Sequence, residues 1–307
     1  NGLPTVDAEL WEPYISAYTS GIVSREATIR IRFTADVVAE EAVGKPVDNS
    51  LLKFEPSIKG TAVFSDRRTL EFKPDGRLKD GTSFTGLLAI RKIMSVPSKC
   101  NVFKFVFMAL KQSVDMKIIG LVSADQNSGR YMELHGSVVT TDVENGDAVE
   151  KIVTVFQGSR KLKMQWFHDA NGILHNFSAD SVERFTDSSN IKVNWNGTIV
   201  NAEESGTLNV TVPPIEEFIV LGTSVINGIN PMITIMFSDP LLKDQNLNGL
   251  ISIDKESNIS YSIERNILKM FPQNSASENF SITVYPGIKS ATGKVLKIAQ
   301  VFPVEVE

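Results

Sequence analysis

Apolar and polar residues alternate with period two along much of this chain. Ile29-Arg30-Ile31-Arg32-Phe33 is the plainest case, predicting a strand with one face buried and one wet, its arginines on the solvated side. Similar short segments follow at Leu51–Phe54, Gly60–Ser65, Thr69–Pro74 and Leu78–Phe84. Asp66-Arg67-Arg68 separates two of them as a hairpin turn, and Pro74-Asp75-Gly76 and Asp80-Gly81 supply further turn chemistry, because Gly tolerates positive φ. The acidic stretch from Ala35 to Asn49 reads as a long exposed connection, and residues 1–13, with Pro4 and Pro13, as an extended lead-in. Strands this evenly spaced predict a β-sandwich.

A second segment is spelled to the same plan. Ile233–Phe237, Leu250–Ile253, Ile267–Pro272 and Phe280–Val284 repeat the order strand, long connection, strand, hairpin, strand, and Val301–Val306 would close a sheet. Between the two copies, Val102–Met108 is apolar at nearly every position, as in a strand buried on both faces or crossing between domains. Leu162–His168 and Ile173–Phe177 flank the turn Asp169-Ala170-Asn171-Gly172, and that register sets His175 opposite Trp166. Ile191–Trp195 leads through Asn196-Gly197 to Thr198-Ile199-Val200 as a two-residue hairpin, and Leu208–Val212 ends the region. Breaks at Val96-Pro97-Ser98 and Pro213-Pro214 divide the chain into 1–98, 99–213 and 214–307. Helical periodicity is nearly absent; Ser181–Phe185 and Ser238–Leu242 are the places for short helices.

Composition narrows the class. With 307 residues, 42% hydrophobic and 22% charged, the chain can bury several cores. Its 31 basic and 36 acidic residues leave a net charge of −5 without a basic cluster, which argues against nucleic acid as a partner. Cys100 stands alone, so no internal disulfide and no cysteine-based metal site can form. No run of about 18 apolar residues spans a membrane. Asn1-Gly2-Leu3-Pro4 has neither the positive start nor the apolar run of a signal peptide, as expected of a chain already processed or cut from something longer.

Candidate chemistry is sparse. His168 and His175, with Asp169 and Asp180 nearby, could supply zinc ligands, but the expected register keeps the imidazoles apart, and His135 adds nothing. Asp244, Asn246, Asn248 and Gly249 follow the first half of a calcium loop, whose twelfth position holds Lys255 in place of the required glutamate; a polar turn is expected. Asn-x-Ser/Thr triplets at Asn176, Asn196, Asn209, Asn258 and Asn279 carry little weight in a chain rich in Ser and Thr. Glu40-Glu41 and Glu203-Glu204 read as solvated loops. No nucleophile elbow, metalloprotease helix or phosphate loop occurs, so the expectation is a chain without catalytic, cofactor-binding or metal residues.

Taken in order, several segments resemble the amino-terminal part of the bacterial alpha-2-macroglobulin family: Ile15–Gly21, Phe54–Gly60, Leu70–Pro74, Leu134–Asp142, Phe237–Leu241 and Gln245–Ile251. The resemblance implies an all-β chain of tandem immunoglobulin-like or macroglobulin-like sandwich domains within a large envelope protein, periplasmic or membrane-anchored, with a lipid anchor upstream. In that family a bait segment is cleaved and an internal thioester captures the protease. The Cys-x-Glu-Gln motif of the thioester is absent, since Cys100 stands in Ser98-Lys99-Cys100-Asn101-Val102, so no catalytic role carries over. The implied role is a non-catalytic frame of a protease trap, its partners being other domains of the same chain and, through them, target proteases. Leu70–Phe84 also resembles the tandem immunoglobulin-like domains of surface adhesins and glycan-binding proteins, the alternative reading. An accessory region of a glycoside hydrolase is a third.

Overall fold

The computed structural model describes residues 7–226, 232–254, 259–272 and 280–304. In the first module, a helical turn α1 (Ala8–Trp11) precedes β1 (Ile15–Tyr18), β2 (Gly21–Val23), β3 (Ile29–Phe33), β4 (Leu52–Glu55), β5 (Gly60–Asp66), β6 (Thr69–Pro74), β7 (Ser83–Leu88) and β8 (Phe103–Ala109). They form two sheets, β1-β3-β6-β5 and β2-β8-β7-β4. Alternation explains the facing. In β3, Ile29, Ile31 and Phe33 are buried while Arg30 and Arg32 are exposed, and Arg30 sits opposite Glu71 of β6, 2.9 Å away. In β8, Phe103, Phe105 and Phe107 all point inward and stack in series at 5.6 and 6.2 Å. Each such ring contributes roughly 1.5–3 kcal/mol through burial.

Two expectations about this region need correcting. β8 is buried on one face only, with Lys104 exposed, and it pairs with β7 and β2 inside the first module, so it does not cross between modules. The break at Val96–Ser98 therefore does not end the first sandwich. Pro97 opens a 3₁₀ turn closed by a hydrogen bond from Cys100 N–H to Pro97 C=O at 2.8 Å, and Ile90 and Cys100 anchor the loop in the core. The junction lies at residues 110–113, between β8 and the next strand.

The second module contains β9 (Val114–Ser123), β10 (Tyr131–Thr140), a helical turn α2 (Gly146–Val149), β11 (Val153–Gln157), β12 (Arg160–Lys161), β13 (Met164–His168), β14 (Leu174–Glu183), β15 (Ser189–Asn196) and β16 (Ser205–Val212). Its sheets are β13-β14-β10-β9 and β12-β11-β15-β16. The expected register of the β13–β14 hairpin is off by two residues. Asp169 N–H bonds Leu174 C=O at 2.9 Å, which extends the ladder and moves the loop to 170–173; His168 then faces His175, and Trp166 faces Phe177. The expected Asn196-Gly197 hairpin is a longer connection. Asn196 caps a 3₁₀ turn at Gly197–Val200, Val200 and Ala202 plug the end of the core, and the ladder closes at Asn196 opposite Ser205.

The third module contains β17 (Val220–Ile226), β18 (Met232–Phe237), β19 (Ile251–Ile253), β20 (Ile259–Glu264), β21 (Ile267–Pro272), β22 (Phe280–Val284) and β23 (Gln300–Val304). Its sheets are β17-β18-β21-β20 and β19-β22-β23. Neither expected helix forms. Ser181 lies in β14, at φ 62°, and Ser238–Leu242 is irregular, ending in a bridge from Leu241 to Ser290.

Lettering the strands A to G in chain order makes the plan common to all three. Each module has one sheet ordered A-B-E-D and another ordered C-F-G. Module 1 adds β2, parallel to β8, outside strand G; module 2 adds the two-residue β12 outside strand C. The chain is a tandem of immunoglobulin-like sandwiches, each on its own core. The middle segment is a third copy of the plan that the sequence displayed only twice.

Candidate functional site: the module junctions and a histidine pair

At the first junction, a buried arginine from module 1 enters the loop after strand B of module 2. Arg25, between β2 and β3, is 2% exposed. Its backbone N–H and Nε donate to Asp142 Oδ2 at 2.7 and 3.2 Å, and Nη2 donates to Glu144 Oε2 at 2.9 Å. Gln112, from the linker, accepts from Asp142 N–H at 3.0 Å and donates to Asp142 C=O and Glu144 Oε2, both at 3.2 Å. Arg77, from the connection between strands E and F, bonds Glu26 and the other oxygen of Glu144. Burial works to raise both interface carboxyls, but the hydrogen bonds from Arg25 and its neighbours to Asp142, and from Arg77, Arg25 and others to Glu144, outweigh it. Both carboxyls sit below their ordinary range.

The second junction repeats the device at greater depth. Arg184, in the E–F connection of module 2, and Asp239, after strand B of module 3, have no exposed side-chain surface and meet at 2.9 Å. The guanidinium also donates to the carbonyls of Pro213 at 3.2 Å, Pro214 at 2.6 Å and Glu217 at 2.7 Å along the linker, and to those of Gly129 and Ser238 at 3.1 and 2.7 Å. Lys294 holds the other oxygen of Asp239 at 2.6 Å. Beside this pair, the fully buried Asn266 accepts from Ser123 N–H at 2.7 Å and donates to the carbonyls of Leu121 and Phe237 at 2.9 and 2.6 Å. Gly120, at φ +150°, leaves room for Met236: a Cβ there would stand 2.5 Å from its Sδ.

Both junctions thus join an E–F arginine to an acid in the next module's B–C loop. Asp142, held by Arg25, and Asp239, held by Arg184, end a similar phrase, Thr140-Thr141-Asp142 and Phe237-Ser238-Asp239; module 1 has Phe33-Thr34-Ala35-Asp36, whose aspartate is bound by Arg67 and Arg68 of its own hairpin at 2.9 and 2.5 Å. Periodicity cannot reveal the arginines, which lie in connections. A strand followed by a hydroxyl residue and an aspartate, adjacent in modules 2 and 3 and separated by one residue in module 1, was the available signal.

The residues singled out for metal chemistry behave otherwise. His168 and His175 do meet, Nδ1 to Nδ1 at 2.9 Å, with His168 Nε2 3.2 Å from Glu150. His175 is fully buried, and its Nε2 has no hydrogen-bond partner. Burial, reinforced by the neighbouring His168, lowers its pKa, so it stays neutral. Asp169 caps its own turn through Ala170 N–H, Asp180 accepts from Gln165, and His135 pairs with Glu133; none joins the two imidazoles. Among the described residues no group of three or more His, Cys, Asp or Glu is placed to hold a metal ion. Asn246 and Gln245 stabilise the turn before β19 through Asn248 N–H and the Leu242 and Lys289 carbonyls. Lys255, Asn258 and Asn279 lie outside the described residues. Asn196 is the cap noted above, Asn176 is half-buried and Asn209 is exposed. Glu40-Glu41 begins an exposed 3₁₀ turn, Glu203 pairs with Lys111, and Glu204 accepts from Val114 N–H.

Among the described residues no helix is long and apolar enough to cross a membrane. No protein-family model and no curated protein sequence matches the chain. Among solved structures, a three-immunoglobulin-domain fragment of titin aligns over 95% of this chain and 98% of its own, at 8% identity and a TM-score of 0.24. The eight amino-terminal immunoglobulin domains of Down syndrome cell adhesion molecule align over 96% of this chain and 36% of theirs, at 13% identity and a TM-score of 0.22. The glucan-utilisation protein SGBP-B of Bacteroides ovatus, solved with a mixed-linkage heptasaccharide, aligns over 94% of this chain and 65% of its own, at 10% identity and a TM-score of 0.25.

Proposed function

We propose that these residues form a stiff, non-catalytic arm of an extracytoplasmic protein, holding other parts of that protein at a set distance and angle. The observation that supports this most directly is the guanidinium of Arg184, which ties the carbonyls of Pro213, Pro214 and Glu217 to Asp239 and so removes the freedom of the linker. Immobilised junctions are unusual between domains of one chain, where relative motion is the default. In a protease trap of the bacterial alpha-2-macroglobulin kind, such an arm is the fixed frame against which other domains move after bait cleavage.

Spin labels on exposed sites of modules 2 and 3 test the arm. A narrow distance distribution that broadens in the Arg184→Ala variant is the expected result, and a broad distribution in the unaltered chain defeats the reading. For the trap, full-length protein is compared with a version lacking residues 1–307 after exposure to proteases; retention that survives the deletion removes the frame role.

The adhesin or glycan-binding alternative draws on Phe167. It is 70% exposed on the outer sheet face of module 2, directly across from Asn176, with Gln165 bonded to Asp180 beside it. A ring flanked by amide and carboxylate groups suits the apolar face and hydroxyl rim of a sugar. Glycan-array binding that disappears in Phe167→Ala would favour this reading.

A further inference from the structure

The open side of module 2 points to a partner. Strand β16 ends its sheet and pairs with β15 alone, over eight consecutive residues without a bulge. Its outer backbone N–H and C=O groups are a template for another strand. Protein edges are ordinarily blunted by charge, proline, bulges or brevity. Three other edges here follow that rule: β12 is only Arg160-Lys161, β4 carries Lys53 and Glu55 and runs into Pro56, and β23 contains Pro303. Ser205-Gly206-Thr207-Leu208-Asn209-Val210-Thr211-Val212 has no charged residue and no proline. Among the terminal strands of the described residues only β9 is longer, and β9 packs against β17 and β18 of module 3.

Module 1 shows what this edge accommodates. Its own G strand, β8, is closed by β2, whose Val23 packs against the core. Module 2 has no such cover, and Leu208, on the inward-facing row with Val210 and Val212, remains 40% exposed. The outer row, Thr207, Asn209 and Thr211, already makes side-chain pairs across β15, with Thr207 donating to Asn194 at 2.8 Å and Thr211 to Asn190 at 3.3 Å.

We propose that the chain self-associates through β16, which pairs antiparallel with β16 of a second copy and joins two four-stranded sheets into one. A second copy fits because nothing on the edge repels its like. With the two-fold axis at Asn209, Thr207 faces Thr211 of the other copy and Leu208 faces its Val210, pairs of the kind that stabilise antiparallel ladders. Glu204 falls opposite Pro214 and Glu203 opposite Ile215 of the other copy, so the acidic residues before the strand do not oppose each other.

Sedimentation velocity over a concentration series of the 307-residue chain decides this. The expected result is a monomer–dimer equilibrium that is lost in Asn209→Lys, which sets two ammonium groups against each other at the axis, and restored when Asn209→Lys is mixed with Asn209→Glu. Thr211→Lys, facing Thr207, is a second block. Unchanged circular dichroism certifies that the variants, at exposed positions, remain folded. A chain that stays monomeric at the highest attainable concentration overturns the proposal, as does a dimer that both lysine variants leave intact; in either case the edge is left for a strand of another protein.

Discussion

Arg184 and Asp239 belong to different modules, yet their charged groups meet at 2.9 Å with no side-chain surface exposed on either. Removing the guanidinium leaves Asp239 with Lys294 alone and takes the donor from five carbonyls; breaking a buried pair costs about 3–5 kcal/mol. Arg184→Ala should therefore lower stability by about that amount in urea unfolding followed by modules 2 and 3. Arg184→Met with Asp239→Leu should not recover the loss, because the linker carbonyls and Lys294 stay without their partners; equal midpoints for Arg184→Ala and the unaltered chain would contradict the assignment.

The first junction should weaken in acid. Asp142 and Glu144 titrate below their ordinary values in the fold. A depressed carboxyl contributes stability that is present above its unfolded pKa and lost as pH falls through the folded value, so the loss begins below about pH 4. Energy transfer between dyes on modules 1 and 2 should fall over that range, and Asp142→Asn with Glu144→Gln should flatten the response while weakening the junction at neutral pH.

His175 predicts a second, milder window. Its pKa is lowered by burial and by His168, so the unfolded chain takes up a proton first as pH falls below about 6.5. Stability contributed by the neutral ring is full above that pH and declines beneath it. Thermal unfolding between about pH 6.5 and 5 should lose this slope in His175→Leu; an unchanged slope would assign the titration elsewhere.

Asn266 bridges modules 2 and 3 with three hydrogen bonds and no exposed surface. Asn266→Ala leaves one buried N–H and two carbonyls without that partner, a cost of about 1–3 kcal/mol for an unsatisfied group. Hydrogen exchange at the Ser123 amide should accelerate markedly, while amides in the core of module 1 keep their rates.

Cys100 is 1% exposed inside the first core. A thiol reagent should label it only in denaturant, and rapid labelling of the native chain would contradict its place there.

Much of the fold was legible because strand alternation is a local property. Ile29–Phe33 and Ile233–Phe237 carry their own periodicity, and both became strand B of a sandwich. Module boundaries were less legible. Pro97 looks like a linker residue, yet Ile90 and Cys100 on either side are held in the core, a fact of tertiary packing that no dipeptide displays. The histidine register failed for a similar reason: one hydrogen bond, from Asp169 to Leu174, moved the loop by a residue and the pairing by two. The junction arginines were invisible because a connection has no period, and Arg77 and Arg184 acquire meaning only when the next module's loop stands beside them.

The direction of the junctions also has a consequence for synthesis. In each case the arginine lies upstream of the acid it neutralises: Arg25 and Arg77 precede Asp142 and Glu144, and Arg184 precedes Asp239. A chain leaving the ribosome amino-terminus first folds its domains in that order. Each new sandwich therefore emerges beside a finished neighbour already presenting the arginine that its acidic loop requires, and the array can be laid down one unit at a time.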